Sequence, residues 1–115
     1  MYNIIRESKN GGNKLIKATF IIPKADNNGV LFPTGLVAKI QIQIIDMFGG
    51  YTLREATGAW QDEDGKIYYD NNWVFEVSMK KDQVATLVEW LEKIKATLEQ
   101  EAMYLELSEP HIKFI

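Results

Sequence analysis

Residues Tyr51 to Val77 alternate between two kinds of side chain around a single turn, and this stretch constrains the fold more than any other. The turn is Asp62-Glu63-Asp64-Gly65, built from residues that tolerate left-handed backbone. With the turn centred on Glu63-Asp64, Trp60 faces Ile67, Gly58 faces Tyr69, Ala56 faces Asn71, Arg54 faces Trp73 and Thr52 faces Phe75. One side of this predicted hairpin carries Trp60, Ile67, Tyr69, Trp73 and Phe75, with small Ala56 and Gly58 making room. The other side, with Tyr51, Glu55, Thr57, Tyr68, Asp70, Asn72 and Glu76, is largely polar. A one-residue slip scrambles that separation, which supports the register. A ribbon with one apolar side needs a covering layer, and the rest of the chain supplies helices for it.

From Lys81 to about Ala102, Val84, Leu87, Val88, Leu91, Ile94 and Leu98 recur at the spacing of an amphipathic helix, with Asp82 as its expected N-cap. Residues 36–48 carry two periods at once. Leu36, Ile40, Ile44 and Met47 form a helical stripe between a cap-like Thr34 and the double glycine Gly49-Gly50, whereas Ile40-Gln41-Ile42-Gln43-Ile44 alternates as a strand would. Pattern alone leaves helix and strand both open there, and length favours helix. Lys14 to Pro23 reads as a first strand and Met103 to Ser108 as a last one. Residues 1–13 read as an N-terminal arm ending in the turn Asn10-Gly11-Gly12-Asn13. Residues 109–115 read as a tail strand or docking arm. The order β-α-β-β-α-β predicts an α+β ferredoxin-like sandwich, with two helices on one face of a four-stranded antiparallel sheet in a single domain spanning 1–115.

Phe48-Gly49-Gly50-Tyr51-Thr52, Gly58-Ala59-Trp60 and Asp64-Gly65-Lys66-Ile67 also carry a resemblance. They are similar to the middle of a family of small bacterial domains of unknown function that read Phe-x-Gly-x-Thr, Gly-x-Trp and an Asp-Gly turn and are related to ferredoxin-like folds. The resemblance implies a fold and no residue-level role. The order of elements is more loosely similar to that of PII-like signalling proteins, which are ferredoxin-like and oligomeric. Their nucleotide-binding loops have no counterpart here, so their ligand does not carry over.

Charge and composition narrow the chemistry. The 115 residues carry 13 Lys and Arg against 16 Asp and Glu, and no basic run exceeds Lys80-Lys81, so nucleic acid is not an expected partner. No cysteine is present, which removes thiol catalysis and thiolate metal sites. The N-terminus lacks a signal-peptide core and no stretch is long and apolar enough to span a membrane, so a cytoplasmic location without membrane contact is the expectation. His111 is the only histidine, and two-histidine metal sites are excluded within one chain. The acidic turn misses the calcium-loop pattern, with Lys66 and Trp73 where ligands belong. Ser8, Ser78 and Ser108 sit in no nucleophile motif.

What survives is binding. The expected protein is a non-enzymatic homo-oligomer, a dimer or trimer working without a cofactor through itself or a protein partner. The alternative is a binder of a small anionic ligand, such as a nucleotide, in a pocket between subunits. Arg54 sits on the apolar side of its predicted strand and reaches an anion bidentately, while Trp60, Tyr68 and Trp73 wall a planar ligand. A third reading builds an enzyme site at an interface from Glu55, Asp70 and Tyr68.

Overall fold

The computed structural model describes residues 14–115, and the expected N-terminal arm lies outside the described residues. Strand β1 spans Leu15–Pro23, helix α1 Thr34–Phe48, β2 Thr52–Gln61, β3 Ile67–Lys80, α2 Val84–Thr97 and β4 Leu105–Ser108, with a single 3₁₀ turn at Lys81–Gln83. The four strands form one antiparallel sheet in the order β2-β3-β1-β4. This is the ferredoxin-like arrangement expected from the order of elements.

Alternation on β1 places Ile16, Ala18, Phe20 and Ile22 on the helix side, opposite Met79, Val77, Phe75 and Trp73 of β3. The two strands together bury Phe20, Phe75, Ile22, Met79 and Val77 almost completely. Helix α1 adds Ile40, Ile44 and Phe48 and α2 adds Leu87 and Leu91, so the described residues share one core. Phe20 and Phe75 stack at 5.3 Å between ring centroids, and Trp90 of α2 meets Phe20 edge-on at 5.8 Å. The Trp90 indole N–H donates to Gln43 Oε1 at 2.9 Å, tying the two helices together.

The helical period wins in residues 34–48 because it buries the right isoleucines. Ile40 and Ile44, four residues apart, lie in the core, whereas Ile42 is 61% exposed. A strand would have put all three on one side. Pro33 rather than Thr34 holds the N-cap position, and no side chain caps this end. At the other end Gly49 adopts φ +89° and donates its N–H to Ile45 O, the glycine stop expected from the double glycine.

Helix α2 starts and ends later and earlier, respectively, than its apolar pattern suggests. Asp82 lies in the 3₁₀ turn and is not the N-cap; Gln83 instead folds back so that its Oε1 accepts the Lys80 N–H. The helix stops at Thr97 because Glu99 turns left-handed (φ +54°), with the Gln100 N–H on Lys95 O and the Glu99 N–H on Ala96 O. This Schellman end carries a glutamate where glycine is favoured. Glu99→Gly is therefore expected to raise stability by about 0.5–1 kcal/mol in chemical denaturation, because relief of the left-handed strain exceeds the added unfolded-state entropy.

The hairpin differs from its expected register by one residue. Trp60 pairs with Tyr68, Gly58 with Asp70, Arg54 with Val74 and Leu53 with Phe75. The loop holds three residues, Glu63, Asp64 and Gly65, rather than two. Gly65 sits at φ +85°, and Asp62 closes the loop by donating its N–H to Lys66 O. The Asp62 carboxylate accepts the Asp64 and Lys66 N–H groups, each at 2.9 Å. This is a type I turn followed by a glycine bulge. The faces expected of β3 hold, while those of β2 are exchanged: Arg54, Ala56, Gly58 and Trp60 face away from the helices, and Glu55 and Thr57 face their side.

Strand β1 pairs with β3 only from Asn72 to Lys80. Beyond Asn72 the β2–β3 hairpin continues as a two-stranded arm, from Thr57↔Asn71 to Gln61↔Ile67, and the described residues measure 52 × 29 × 24 Å. Strand β4 covers only Lys17 to Phe20 of β1. Residues 109–115 make no strand within the single chain, and Ile115 is fully exposed. Pro110, which lacks an N–H, separates the two segments.

Candidate functional site

The arm, the loop after β1 and the segment after α2 meet at one end of the sheet and enclose an open groove of about 830 Å³. Trp60 and Tyr68, cross-strand partners on the arm, stack at 4.4 Å with their planes 13° apart. The Tyr68 hydroxyl donates to Asp62 Oδ2 at 3.2 Å, and Lys66 Nζ lies 4.9 Å from its ring centroid. The ring is thus fixed from its hydroxyl end by the turn. Trp60 stays 53% exposed, leaving indole surface open to a second ring.

The loop wall is a small hairpin of its own. Phe32 donates its N–H to Lys24 O and Asp26 to Val30 O, while the Asp26 Oδ1 accepts the Asn28 and Val30 N–H groups. Asn27 reaches across to the end of α2, its Nδ2 donating to Glu99 O at 3.3 Å. Gln100, Ala102, Met103 and Tyr104 form the third wall. The Tyr104 hydroxyl donates to Glu106, whose carboxylate holds the phenol above its ordinary pKa.

Of the four residues expected to bind a ligand, the structure brings two together. Trp60 and Tyr68 share the groove. Arg54 does not face the core or Trp73; it lies on the open face and is bound to Glu76, as is Lys17 at 2.9 Å. Trp73 lies on the helix side, half-buried, and packs toward α1 rather than α2. There it lines a small apolar cleft of about 180 Å³ with Pro23, Phe32, Pro33 and Leu36. Its cationic neighbour is Lys24, 4.2 Å from the ring centroid, not Arg54. The three groups of the carboxylate site are also apart. Glu55 pairs with Lys24 at 3.0 Å on the helix side, Tyr68 is engaged by Asp62, and Asp70 lies on the opposite face from Glu55. The loop and the Gln100–Tyr104 segment were not expected to contribute. Only the run of turn-forming residues Asp26-Asn27-Asn28-Gly29 marks the loop in the sequence, and the other wall gives no local signal.

The Lys17–Glu76–Arg54 group has a pH consequence. The hydrogen bond from Lys17, then that from Arg54, holds the Glu76 carboxyl below its ordinary value of 4.5. A depressed folded-state value means that the unfolded chain binds more protons, so the contribution is complete above the ordinary value and is lost as pH falls through the folded one. Glu76→Gln is expected to cost about 0.5–1 kcal/mol near neutral pH, a small figure because both cations are exposed. Urea denaturation at falling pH should show the gap between the two proteins closing below about pH 4.5.

No family model matches this chain, and no curated protein matches it in sequence. Solved structures do match. A phage SAM lyase in complex with S-methyl-5'-thioadenosine superposes with a TM-score of 0.66 at 15% identity, covering 85% of this chain and 83% of the other. The divalent ion tolerance protein CutA1 from Ehrlichia chaffeensis gives 0.65 at 11% identity, over 90% and 88%. CutA from Synechococcus elongatus gives 0.63 at 8%, over 86% and 79%. What is shared is the fold. The looser similarity to PII-like, ferredoxin-like proteins holds at that level, while the sequence resemblance to the bacterial domain family finds no matching model. Among the described residues no helix is long and apolar enough to cross a membrane.

Proposed function

We propose that this protein is a homo-oligomeric binding domain whose arm makes the contact between copies. The observation that carries this reading is the apolar stripe of β3. It runs from Phe75 and Trp73 under the helices and, past the single polar residue Asn71, to Tyr69 and Ile67 on the arm, which are 75% and 51% exposed. The pattern is one of burial, continued past the point where the other described residues bury it. A two-stranded ribbon is marginal in water by itself, and a second copy laid against it adds the missing layer. A cyclic dimer or trimer repeats the contact and closes. Light scattering on the intact chain tests this: an oligomer at micromolar concentration supports it, and a monomer refutes it.

The groove favours a second role, binding a planar aromatic ligand on the Trp60–Tyr68 stack. The fold shared with a lyase solved with S-methyl-5'-thioadenosine supports a nucleoside as the first ligand to try. A rise in melting temperature with that compound supports the reading, since a ligand of the native state must stabilise it.

A further inference from the structure

We propose that the groove beside the arm selects a planar heteroaromatic ligand bearing positive charge, the reverse of the anionic ligand expected from the sequence. This rests on the reading of the groove as a ligand site. The lining carries two carboxylates, Asp26 and Asp70, against one cation, Lys24. The Asp70 carboxylate makes no hydrogen bond or ion pair among the described residues, so it is open to a ligand. Asp26 spends Oδ1 on two backbone N–H groups. The Lys24 ammonium is engaged elsewhere, 3.0 Å from Glu55 and 4.2 Å from the Trp73 ring centroid. Arg54, the other cation an anion would call on, is bound to Glu76 and does not line the groove.

The remaining walls point the same way. The open face of Trp60 attracts cations through its ring quadrupole as well as offering a stacking surface. A concave site lined by one sign of charge concentrates ligands of the other sign. A phosphate placed here would meet the two carboxylates and a lining lysine already engaged, with Lys66, at the Tyr68 ring but outside the lining, as the nearest other cation, whereas an ammonium would be held between Asp70 and the aromatic stack.

Three nucleosides with one ring and three charges test the proposal in titration calorimetry on the full chain: 5'-amino-5'-deoxyadenosine as the cation, S-methyl-5'-thioadenosine as the neutral form, and adenosine monophosphate as the anion. The cation is expected to bind about tenfold more tightly than the anion, with the neutral form between. Asp70→Asn should weaken the cation about fivefold and leave the neutral nucleoside within about twofold, whereas Trp60→Ala should weaken both. Equal binding of all three, a preference for the monophosphate, or an unchanged ranking in Asp70→Asn overturns the charge preference and leaves the groove as a ligand site. Binding of none of the three overturns that underlying reading, and this inference with it.

Discussion

Phe75→Ala is expected to cost about 3–5 kcal/mol, the largest loss from any single truncation in the sheet. Phe75 is completely buried at the centre of β3, stacked on Phe20 and met edge-on by Tyr51 at 5.7 Å. Its partners come from β1, from the entrance to β2 and, through Phe20, from Trp90 on α2, so the cavity left by an alanine has walls on several elements and cannot collapse onto one. Part of the loss is apolar transfer, part is the cavity, and part is two aromatic pairs worth about 0.5–1.5 kcal/mol each. Trp73→Ala, two residues along the same face, should cost less although more atoms are removed. Trp73 is half-buried beside an existing cleft, with Lys24 rather than a helix over its ring. Urea denaturation of both variants checks the order. A larger loss at Trp73 would mean that the core is centred nearer the arm than the packing of Phe20 and Phe75 places it.

That contrast bears on what could be read from the residues. The two faces of β3 were legible because nine of its positions pair with β1, where Phe75, Val77 and Met79 are buried and Glu76 and Ser78 between them are not, Val74 being the one buried residue of the other face. Burial enforces alternation, and alternation is what a sequence displays. Strand β2 was misread because that rule lapses along the arm. Only Leu53 and Tyr51 at its start pack against the core, so nothing between Glu55 and Gln61 has to choose a side. There the register is set by the turn. One left-handed glycine, Gly65, lengthens the loop from two residues to three and exchanges every side chain of β2, moving Arg54 to the open face and Trp60 onto Tyr68. The aromatic pair of the candidate site exists because of that single glycine. Two groove walls were invisible for another reason: the Asp26–Val30 loop and the Gln100–Tyr104 segment lie more than seventy positions apart and meet through contacts such as Asn27 on Glu99, which no local pattern encodes.

Ile67→Ser combined with Tyr69→Ser is expected to convert the proposed oligomer to monomers, weakening association by a hundredfold or more, on the order of 3–4 kcal/mol. Both side chains lie on the β3 face that the helices cover further along, but beyond the reach of either helix. Serine removes the apolar and aromatic area without adding charge to an arm that already holds Asp62, Glu63, Asp64 and Asp70. Within one chain these substitutions should cost no more than about 1 kcal/mol through strand propensity, because the side chains they replace contact mostly water. They also leave Trp60 and Tyr68, which point to the other side of the ribbon, free to stack, although Tyr69 itself lines the rim of the groove. Light scattering should therefore report a smaller particle whose denaturation midpoint, extrapolated to low protein concentration, is nearly that of the parent. An unchanged oligomer would move the interface off this stripe, to the outer edge of β2 or the exposed Ile42 and Ile45 of α1. Loss of fold in step with loss of assembly would make the arm part of the core, an outcome at odds with three-quarters exposure of Tyr69.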